Sequence, residues 1–381
     1  MNFVIHYVRL IACLFLTPAL LAACSFMKDV RCASTTLDPI KTAHEVSETW
    51  KVHIGKSSNY SFVPAPVGDY VYAASADGSV LKIDATNGRK VWNTKIGTDL
   101  SAGVGSDGTV TAVCTLKGNV LALDDNGKIL WKSNVLGEII TPPAVRQDFV
   151  LVRTISGSIT AFNSQTGEQK WVYVNHAAPL NLRTIAGITF SGKNTLLAGF
   201  PGGVLAAINL QSGNAYWQTS VSYPHGVTEV ERINDVTGSP TVVGSQTCAV
   251  TRRGQIGCFD ILSGRALWKQ PFSSYSGLAQ DDHVVASTNE KSGISLYDSK
   301  TGEYLWQNVQ LERRAVTAPT IAGNVVVVGD CNGFIHFLSC DTGEFIARKK
   351  TSKAIITQPI VAGNTLVVQT CNGDLYGFRP Q

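Results

Sequence analysis

The stretch TPPAVRQDFVLVRTISGSITAFNSQTGEQKWVYV, residues 141–174, is the clearest copy of a unit that recurs along the chain. Short runs rich in β-branched and aromatic residues alternate with turns that contain Gly, Asn and Asp, which is typical of consecutive antiparallel hairpins. Gly157 and Gly167 mark two of these turns. The pattern predicts strands over residues 141–145, 149–152, 158–162 and 168–174, and no helical period of comparable length competes with it.

Each unit carries a tryptophan in its fourth strand. Successive tryptophans are 42, 39, 40, 46, 51 and 38 residues apart, and a period of about 40–45 residues is the length of one four-stranded propeller blade. A turn containing Asn-Gly, Thr-Gly or Ser-Gly comes three or four residues before nearly every tryptophan. The seven are Trp50, Trp92, Trp131, Trp171, Trp217, Trp268 and Trp306.

The two ends of the chain hold incomplete units that complement each other. The first, around Trp50, has only a fourth strand, and the last, residues 374–378, stops before its fourth strand. Ala347 takes the tryptophan position in a further unit, so the total is eight. Joining the two halves closes a ring and removes unpaired sheet edges. The sequence therefore predicts an all-β, eight-bladed β-propeller of four-stranded antiparallel blades over residues 46–381, closed by its N-terminal and C-terminal strands.

The repeated tryptophans and turn residues are expected to be structural. A large amphipathic ring fills the space between neighbouring sheets while its N–H finds a backbone acceptor. Asp, Asn and Thr bind nearby turn amides, and Gly accepts positive φ. Placement in nearly every repeat fits packing better than a single active site.

The N-terminus predicts export and lipidation. Residues 1–23 carry one cation, Arg9, then a short apolar run, which is typical of a signal peptide. The sequence Leu-Ala-Ala-Cys ending at Cys24 resembles a bacterial lipobox, in which the cysteine is acylated; the alternative is an ordinary signal with an incidental cysteine. Residues 24–45 would form a lipidated, flexible tether. Lipoprotein sorting implies that Ser25, in place of Asp, directs the protein to the periplasmic face of the outer membrane.

Composition fits one large β domain and argues against nucleic acid. Charged residues make up 16%, and 35 of the 381 residues are Gly, as many short strands and turns require. The formal net charge of +4 falls to +3 when Arg9 leaves with the signal. Basic residues form isolated pairs only, so no nucleic-acid partner is expected.

Nine cysteines leave an odd number in the exported chain. Cys13 leaves with the signal and Cys24 is assigned to the lipid, so seven remain. Cys248 and Cys258 flank a predicted turn symmetrically and are the one disulfide candidate. The others are expected to be small buried side chains; they are Cys32, Cys114, Cys331, Cys340 and Cys371.

Signals for catalysis or metal binding are weak. The seven His residues are scattered, and His-Glu-x-x-His, Cys-x-x-Cys, P-loop and Gly-x-Ser-x-Gly motifs are missing from the sequence. The Asp-x-x-Thr-Gly-x-x-x-Trp repeat resembles that of quinoprotein alcohol dehydrogenases, whose eight-bladed propellers bind pyrroloquinoline quinone. That family typically has a vicinal Cys-Cys pair and a longer chain, and no two cysteines are adjacent here. The resemblance supports the fold; we expect no catalytic residue, no metal and no cofactor.

Two expanded connections predict a binding face. The excess residues follow the fourth strands that contain Trp171 and Trp217, so they should lie on one face of the ring. The first expansion contains Leu180, Leu182 and Arg183. The second, between Trp217 and Pro240, contains residues 229–236. Exposed apolar residues and Arg beside acids are typical anchors of protein interfaces; the alternative is that the leucines cap the local core and Arg183 pairs with a loop acid.

These features together resemble the BamB family, the propeller lipoproteins of the bacterial β-barrel assembly machinery. The resemblance covers nearly the whole chain: the lipobox, the repeats, the Leu180-x-Leu182-Arg183 loop, the segment from Glu229 to Val236 and the stretch at 329–336. It implies a non-enzymatic scaffold that docks on the periplasmic POTRA domains of BamA and assists insertion of outer-membrane proteins. The implied docking residues are Leu180, Leu182, Arg183 and Asp235.

One departure from the family concerns charge. A second acid commonly follows the Asp-Val step, whereas this chain has Thr237, so a weaker electrostatic contribution is expected. Asp235 is predicted either to orient Arg183 or to meet a cation of the partner. A further expected role is pairing of unfolded outer-membrane proteins with exposed blade edges.

Two other functions compete with the assembly scaffold. One is a quinone-dependent dehydrogenase, which dye reduction with pyrroloquinoline quinone and an alcohol would reveal. The other is a propeller that binds carbohydrate or peptidoglycan, which a pull-down on cell-wall fragments would reveal.

Overall fold

The protein forms a ring of eight four-stranded antiparallel sheets, which confirms the predicted propeller. The computed structural model describes Cys32 and residues 36–40, 45–56, 60–175, 182–183 and 185–380. The predicted signal peptide, Cys24, Ser25 and Leu180 lie outside the described residues. Within the described ranges, we find no helix with the length and apolar character needed to cross a membrane.

The first four blades follow one another along the chain. Each runs from an inner strand, next to the central axis, to an outer strand. A short 3-10 segment, Pro201–Gly203, joins the two middle strands of blade four. The strands are β2 (Ala65–Val67), β3 (Tyr70–Ala74), β4 (Ser79–Asp84) and β5 (Lys90–Lys95) in blade one; β6 (Gly105–Ser106), β7 (Thr111–Cys114), β8 (Asn119–Leu123) and β9 (Ile129–Asn134) in blade two; β10 (Ala144–Arg146), β11 (Phe149–Arg153), β12 (Ile159–Asn163) and β13 (Gln169–Tyr173) in blade three; and β14 (Ile188–Ser191), β15 (Thr195–Phe200), β16 (Val204–Asn209) and β17 (Ala215–Ser220) in blade four.

Blades five to seven continue the series, and blade eight combines both ends of the ring. The strands are β18 (Val236–Val243), β19 (Gln246–Thr251), β20 (Gly254–Asp260) and β21 (Ala266–Phe272) in blade five; β22 (Leu278–Gln280), β23 (Val284–Thr288), β24 (Ile294–Asp298) and β25 (Tyr304–Asn308) in blade six; β26 (Thr320–Ala322), β27 (Val325–Gly329), β28 (Phe334–Ser339) and β29 (Phe345–Lys350) in blade seven; and β30 (Ile360–Ala362), β31 (Thr365–Gln369), β32 (Asp374–Pro380) and β1 (Val46–His53) in blade eight.

The strands of blade three lie close to their predicted positions, except at the start. The inner strand begins at Ala144 instead of residue 141. Pro142 and Pro143 have no N–H to give to a strand ladder, so residues 141–143 belong to the incoming connection. The other three strands begin within one residue of the prediction.

The ring closes as the sequence predicts. Strand β1 pairs antiparallel with β32 from Val46 opposite Pro380 to His53 opposite Asp374. Asp374 reinforces this pairing, because its carboxylate lies 2.8 Å from His53 Nδ1 and 3.1 Å from Lys51 Nζ. The hydroxyl of Ser352 donates to the same carboxylate at 2.7 Å.

The tryptophans join each blade to the next. In all seven cases the indole N–H donates to a backbone carbonyl of the following blade, at 2.6–2.9 Å. Trp131, for example, donates to the carbonyl of Ser164 at 2.7 Å. Its ring lies over Gly167, which has a φ of 72°; a Cβ added there would be 2.6 Å from the indole. The turn glycine and the tryptophan of the repeat therefore belong to one contact between blades.

The position of Ala347 follows from the same contact. Ala347 is in the tryptophan register, opposite Phe337, and it faces blade eight. In that blade the third and fourth strands are β32 and β1, the two ends of the ring, and a Thr-Gly turn does not join them. Val46, at the start of β1, packs in the same buried cluster as Ala347. A tryptophan at 347 would have no turn glycine to cover, and the small side chain leaves room for the chain ends.

The cysteines confirm one prediction and correct another. Cys248 and Cys258 oppose each other in β19 and β20 and form the predicted disulfide. Cys32 and Cys331 also form a disulfide, so the expectation that both are free was wrong. The sequence separation of 299 residues hid this pair, because the segment before β1 folds back on blade seven. Cys114 and Cys340 are free and buried, as expected, and Cys371 is free and partly exposed.

We expect Trp131→Ala to lower the free energy of unfolding by about 3–5 kcal/mol, because a large buried ring and its hydrogen bond to Ser164 are both lost. Urea denaturation followed by circular dichroism measures the change. Leu130→Ala is the control, since Leu130 is the adjacent residue and is exposed; it should change stability by less than about 1 kcal/mol. Equal losses in the two variants would contradict the blade contact.

We expect ring closure to weaken in acid through Asp374. Burial acts to raise the pKa of this carboxyl, but hydrogen bonds from Ser352, His53 and Lys51 outweigh burial and lower the pKa to about 2. A lowered pKa in the folded state stabilises the protein above the unfolded value near 4, and this contribution disappears as the pH falls through about 2. Relative to Asp374→Asn, the wild type should lose about 2 kcal/mol of stability between pH 5 and pH 2, measured by thermal unfolding. Parallel pH profiles would contradict this role.

Candidate partner-docking site

The two expanded connections lie on the same face of the ring, as predicted. Residues 174–187 join β13 to β14, and residues 221–235 join β17 to β18. Both lead from an outer strand to the inner strand of the next blade. Because strands alternate in direction, all such connections emerge on one face, which we call the loop face. The turns between second and third strands lie on this face too, and the turns between first and second strands lie on the opposite face.

Leu182 and Arg183 lie on the loop face beside blade three. Leu182 is partly exposed and Arg183 is exposed. Arg183 Nη1 lies 2.8 Å from Oε2 of Glu138, which belongs to the connection between blades two and three. The predicted alternative, in which Arg183 pairs with a loop acid, therefore describes the free protein. A solvent-exposed pair of this kind contributes about 0–1 kcal/mol, so the ion pair between Arg183 and Glu138 can open at small cost.

Asp235 is hydrogen-bonded to the backbone of the first loop and does not contact Arg183. Its residue surface is only 1% exposed. One carboxylate oxygen accepts the backbone N–H of Leu182 at 2.6 Å, and the other accepts that of Gly202 at 3.0 Å. The expectation that Asp235 orients the Arg183 side chain was therefore wrong. The carboxylate instead fixes the backbone of Leu182, the residue before Arg183. Charge-assisted hydrogen bonds to backbone N–H groups are roughly twice as strong as neutral ones.

A buried arginine completes this support. Arg153, at the end of β11, is almost fully buried, and its Nη1 donates to the carbonyl of Ala186 at 2.8 Å. Burial lowers the pKa of Arg153 to about 10, and the negative charge of Asp235 opposes that shift. The guanidinium also lies 5.7 Å from the centre of the Phe200 ring. Asp235 thus fixes the backbone at Leu182, and Arg153 fixes it at Ala186.

The second loop is ordered by its own polar contacts. Glu231 accepts the backbone N–H groups of Val227 and Thr228 at 2.9 and 3.0 Å. Arg253 Nη1 donates to the carbonyl of Val230 at 3.0 Å. The apolar side chain of Val227 is 92% exposed. The second loop therefore presents apolar surface on a defined backbone.

Thr237, at the position where the family commonly has a second acid, lies inside the protein. Thr237 is buried, and its hydroxyl donates to the carbonyl of Ser274 in the next connection at 3.0 Å. This residue therefore joins blade five to blade six and is not part of the exposed surface.

Three residues at this site were missed by the sequence reasoning. Glu138 pairs with Arg183, Arg153 supports the loop, and Leu136 is 95% exposed beside Glu138. Leu136 and Glu138 belong to a connection of ordinary length, so no insertion marks these residues in the sequence. The sequence does contain one indication of these two residues, because an isolated Leu is followed by Glu shortly after the blade tryptophan. Arg153 occupies a position at the end of the second strand where the neighbouring blades have apolar residues, and this difference in the sequence indicates a special role for Arg153.

Among the residues that the structure describes, no group of three or more His, Cys, Asp or Glu is arranged to hold a metal ion. A surface depression lined by residues such as Asp281, His283 and Asp341 lies between blades six and seven, on the face opposite the loops.

The fold and this face define a class: an eight-bladed propeller with quinoprotein-type repeats that presents an apolar and charged loop surface. Comparison with known proteins specifies the family. The family model described as "Outer membrane protein assembly factor BamB" matches residues 76–308 and 291–380. The chain belongs to the BamB family of outer membrane protein assembly factors, which confirms the resemblance seen in the sequence.

Relatives and solved structures agree with this assignment. The BamB of Burkholderia pseudomallei is 56% identical over 100% of both chains, and that of Bordetella pertussis is 38% identical over 86% of each. The crystal structure of BamB from Moraxella catarrhalis is similar with a TM-score of 0.81 and 26% identity, covering 88% of this chain and 100% of that one. A quinohemoprotein alcohol dehydrogenase from Comamonas testosteroni shares the fold alone, with 14% identity and a TM-score of 0.67 over 92% of this chain and 78% of that one.

We expect Asp235→Ala to release the first loop and to lower the free energy of unfolding by about 3 kcal/mol, because two buried N–H groups lose their acceptor and Arg153 loses a nearby opposite charge. Hydrogen exchange at the Leu182 and Gly202 amides should accelerate. The control is Asp281→Ala, since Asp281 also accepts two backbone N–H groups but is partly exposed, on the opposite face. Unchanged exchange at Leu182 would contradict the supporting role of Asp235.

Proposed function

We propose that this protein is a non-enzymatic docking scaffold of the outer-membrane β-barrel assembly complex. It is held at the periplasmic face of the outer membrane by lipid on Cys24, with Ser25 directing it there. It binds the POTRA domains of BamA through the loop face and thereby assists folding and insertion of outer-membrane proteins. Membership of the BamB family supports the role in assembly. The partner, the anchor and the docking residues belong to our proposal.

The observation that carries the docking proposal is the presentation of Leu182 and Arg183. Both side chains stand on a backbone that Asp235 fixes by a buried hydrogen bond. Preorganised backbone reduces the entropy lost on binding. Leu182 would enter an apolar pocket of the partner, with Leu180 beside it, while Arg183 would form a charge-assisted contact with a partner carboxylate.

Neighbouring exposed groups would extend this surface. Leu136 and Glu138 adjoin Arg183 across the blade boundary, and Val227 belongs to the second loop on the same face. Arginine is common among interface hot spots, which are surrounded by less critical contacts that exclude water; the exposed leucines would add apolar area to bury. The proposed role of Asp235 is indirect, through the position of Leu182.

Neither competing function is favoured by an observation at this face. The likeness to quinone-dependent dehydrogenases extends to the fold alone at 14% identity, and chemistry is not carried over by fold. The relatives above are assembly factors by name. We therefore propose no enzymatic activity and no cofactor for this protein.

We expect Arg183→Glu to weaken co-purification of BamA by at least about 30-fold in apparent affinity, which corresponds to about 2 kcal/mol. The reversed charge would meet the partner carboxylate and would also lie beside Glu138. The thermal unfolding midpoint should stay almost unchanged, because the ion pair is exposed.

Lys193→Glu is the matched control for this experiment. Lys193 is exposed in the turn between β14 and β15, on the face opposite the loops. The same charge reversal there should leave the complex intact. Normal recovery of BamA with Arg183→Glu, or equal loss with both variants, would refute docking through Arg183.

A further inference from the structure

The segment before β1 is attached to blade seven at several points. Cys32 is disulfide-bonded to Cys331 and forms an antiparallel β-bridge with Arg314. Leu37 packs against buried side chains between blades six and seven. The carbonyl of Asp38 accepts a hydrogen bond from Arg348 Nη1 at 3.0 Å. The expectation of a free tether from residue 24 to residue 45 therefore does not hold for Cys32, Leu37 and Asp38, which contact the ring.

A buried polar network makes the attachment point rigid. Asp330, next to Cys331, lies 2.7 Å from Arg314 Nε and 3.0 Å from His336 Nε2. Arg348 Nε donates to His336 Nδ1 at 3.2 Å, so the ring keeps its proton on Nε2 and donates it to Asp330. Burial lowers the pKa of His336, which favours this neutral form. The stretch at 329–336 thus supports the tether.

The attachment point lies on the loop face. Cys331 is in the turn between β27 and β28, the second and third strands of blade seven. Arg314 is in the connection between β25 and β26, from an outer strand to the next inner strand. Both kinds of segment emerge on the face that carries Leu182 and Arg183. Blade seven is on a different part of the rim from blades three to five, which carry the proposed docking residues.

Chain length then limits how far this rim can be from a lipid at Cys24. Cys32 is eight residues after Cys24, and an extended chain covers at most about 3.5 Å per residue, or about 28 Å in total. Without the disulfide, the first attachment would be Leu37, which packs between blades six and seven, and the same arithmetic for the 13 residues after Cys24 allows about 46 Å. The disulfide shortens the maximum reach by roughly 40%.

We infer that the Cys32–Cys331 disulfide holds the lipid tether on the loop face, so that the blade-seven rim of this face lies against the bilayer, within about 28 Å of the lipid-bearing residue. The inference rests on the lipid anchor proposed above. The exposed cations Lys291, Arg313 and Lys353 lie on this part of the face, with Glu290 and Glu312 among them. A cationic rim suits a surface that contains anionic phospholipid. The partner and the membrane would thus approach the same face at different blades.

The attachment can be tested by cutting the chain between the tether and the ring. A protease recognition sequence would replace residues 41–44 in the full-length lipidated protein, bound to vesicles of phosphatidylethanolamine and phosphatidylglycerol. After cleavage, the oxidised propeller should still float with the vesicles, because the disulfide links it to the lipid-bearing fragment. Dithiothreitol should release it, and Cys331→Ser should be released without reductant. The control Cys248→Ala, Cys258→Ala lacks the other disulfide and should be retained.

The outcomes separate this inference from the anchor on which it rests. If the uncut protein fails to float, or floats equally well as Cys24→Ala, the proposed lipid anchor is wrong and the membrane-facing rim falls with it. If the uncut protein floats through Cys24 but the oxidised propeller leaves the vesicles after cleavage, the anchor stands and the inference is overturned.

The orientation is tested by energy transfer to acceptor lipids in the same vesicles. A fluorescent amino acid would replace Lys291 on the loop face or Lys193 on the opposite face. Transfer should be greater from position 291, and Cys331→Ser should lose this difference, whereas Cys248→Ala, Cys258→Ala should keep it. Equal transfer from both positions in the oxidised protein, or greater transfer from 193, would overturn the assigned orientation.

Discussion

The contact between a tryptophan of one blade and the turn glycine of the next is the constraint on which the other features depend. Each indole N–H satisfies a backbone carbonyl across the blade boundary, and each ring occupies the space that a glycine leaves open. Buried apolar clusters line the same boundaries, as in the one shared by blades two and three. Blades that are fixed to one another hold the connections between outer and inner strands at defined positions. A docking surface built from several connections requires such a frame.

Closure of the ring brings both chain ends into the same frame of blade contacts. Trp50 in β1 contacts blade one as the other tryptophans contact their neighbours, so the N-terminal strand is a full member of the frame. Ala347 replaces tryptophan where blade eight brings the chain ends together. The disulfide from Cys32 to blade seven then extends the attachment beyond β1. The segment before β1, which would carry the proposed lipid, is thereby joined to the same frame that holds the proposed docking surface.

The repeat made the fold accessible from the sequence, because each blade obeys the same local rules of turn, alternation and tryptophan position. The blade number, the closing pair of strands, the loop face and the Cys248–Cys258 pair could all be predicted. Contacts without a local signal could not. The Cys32–Cys331 pair depends on how a distant segment folds back, and the inward position of Asp235 depends on the Leu182 amide from another blade. Sequence similarity within the family identified Asp235 as important, and the structure supplies the physical reason.

Docking of the assembly partner on the loop face beside blades three to five can be measured by hydrogen–deuterium exchange of the full-length protein, with and without purified POTRA domains of BamA. We expect slower exchange at residues 182–187 and 221–235 when the domains are present, and unchanged exchange at the opposite-face turns around Lys193 and Asp281. Protection of those turns, or unchanged exchange on the loop face at saturating partner, would show that the partner does not bind there.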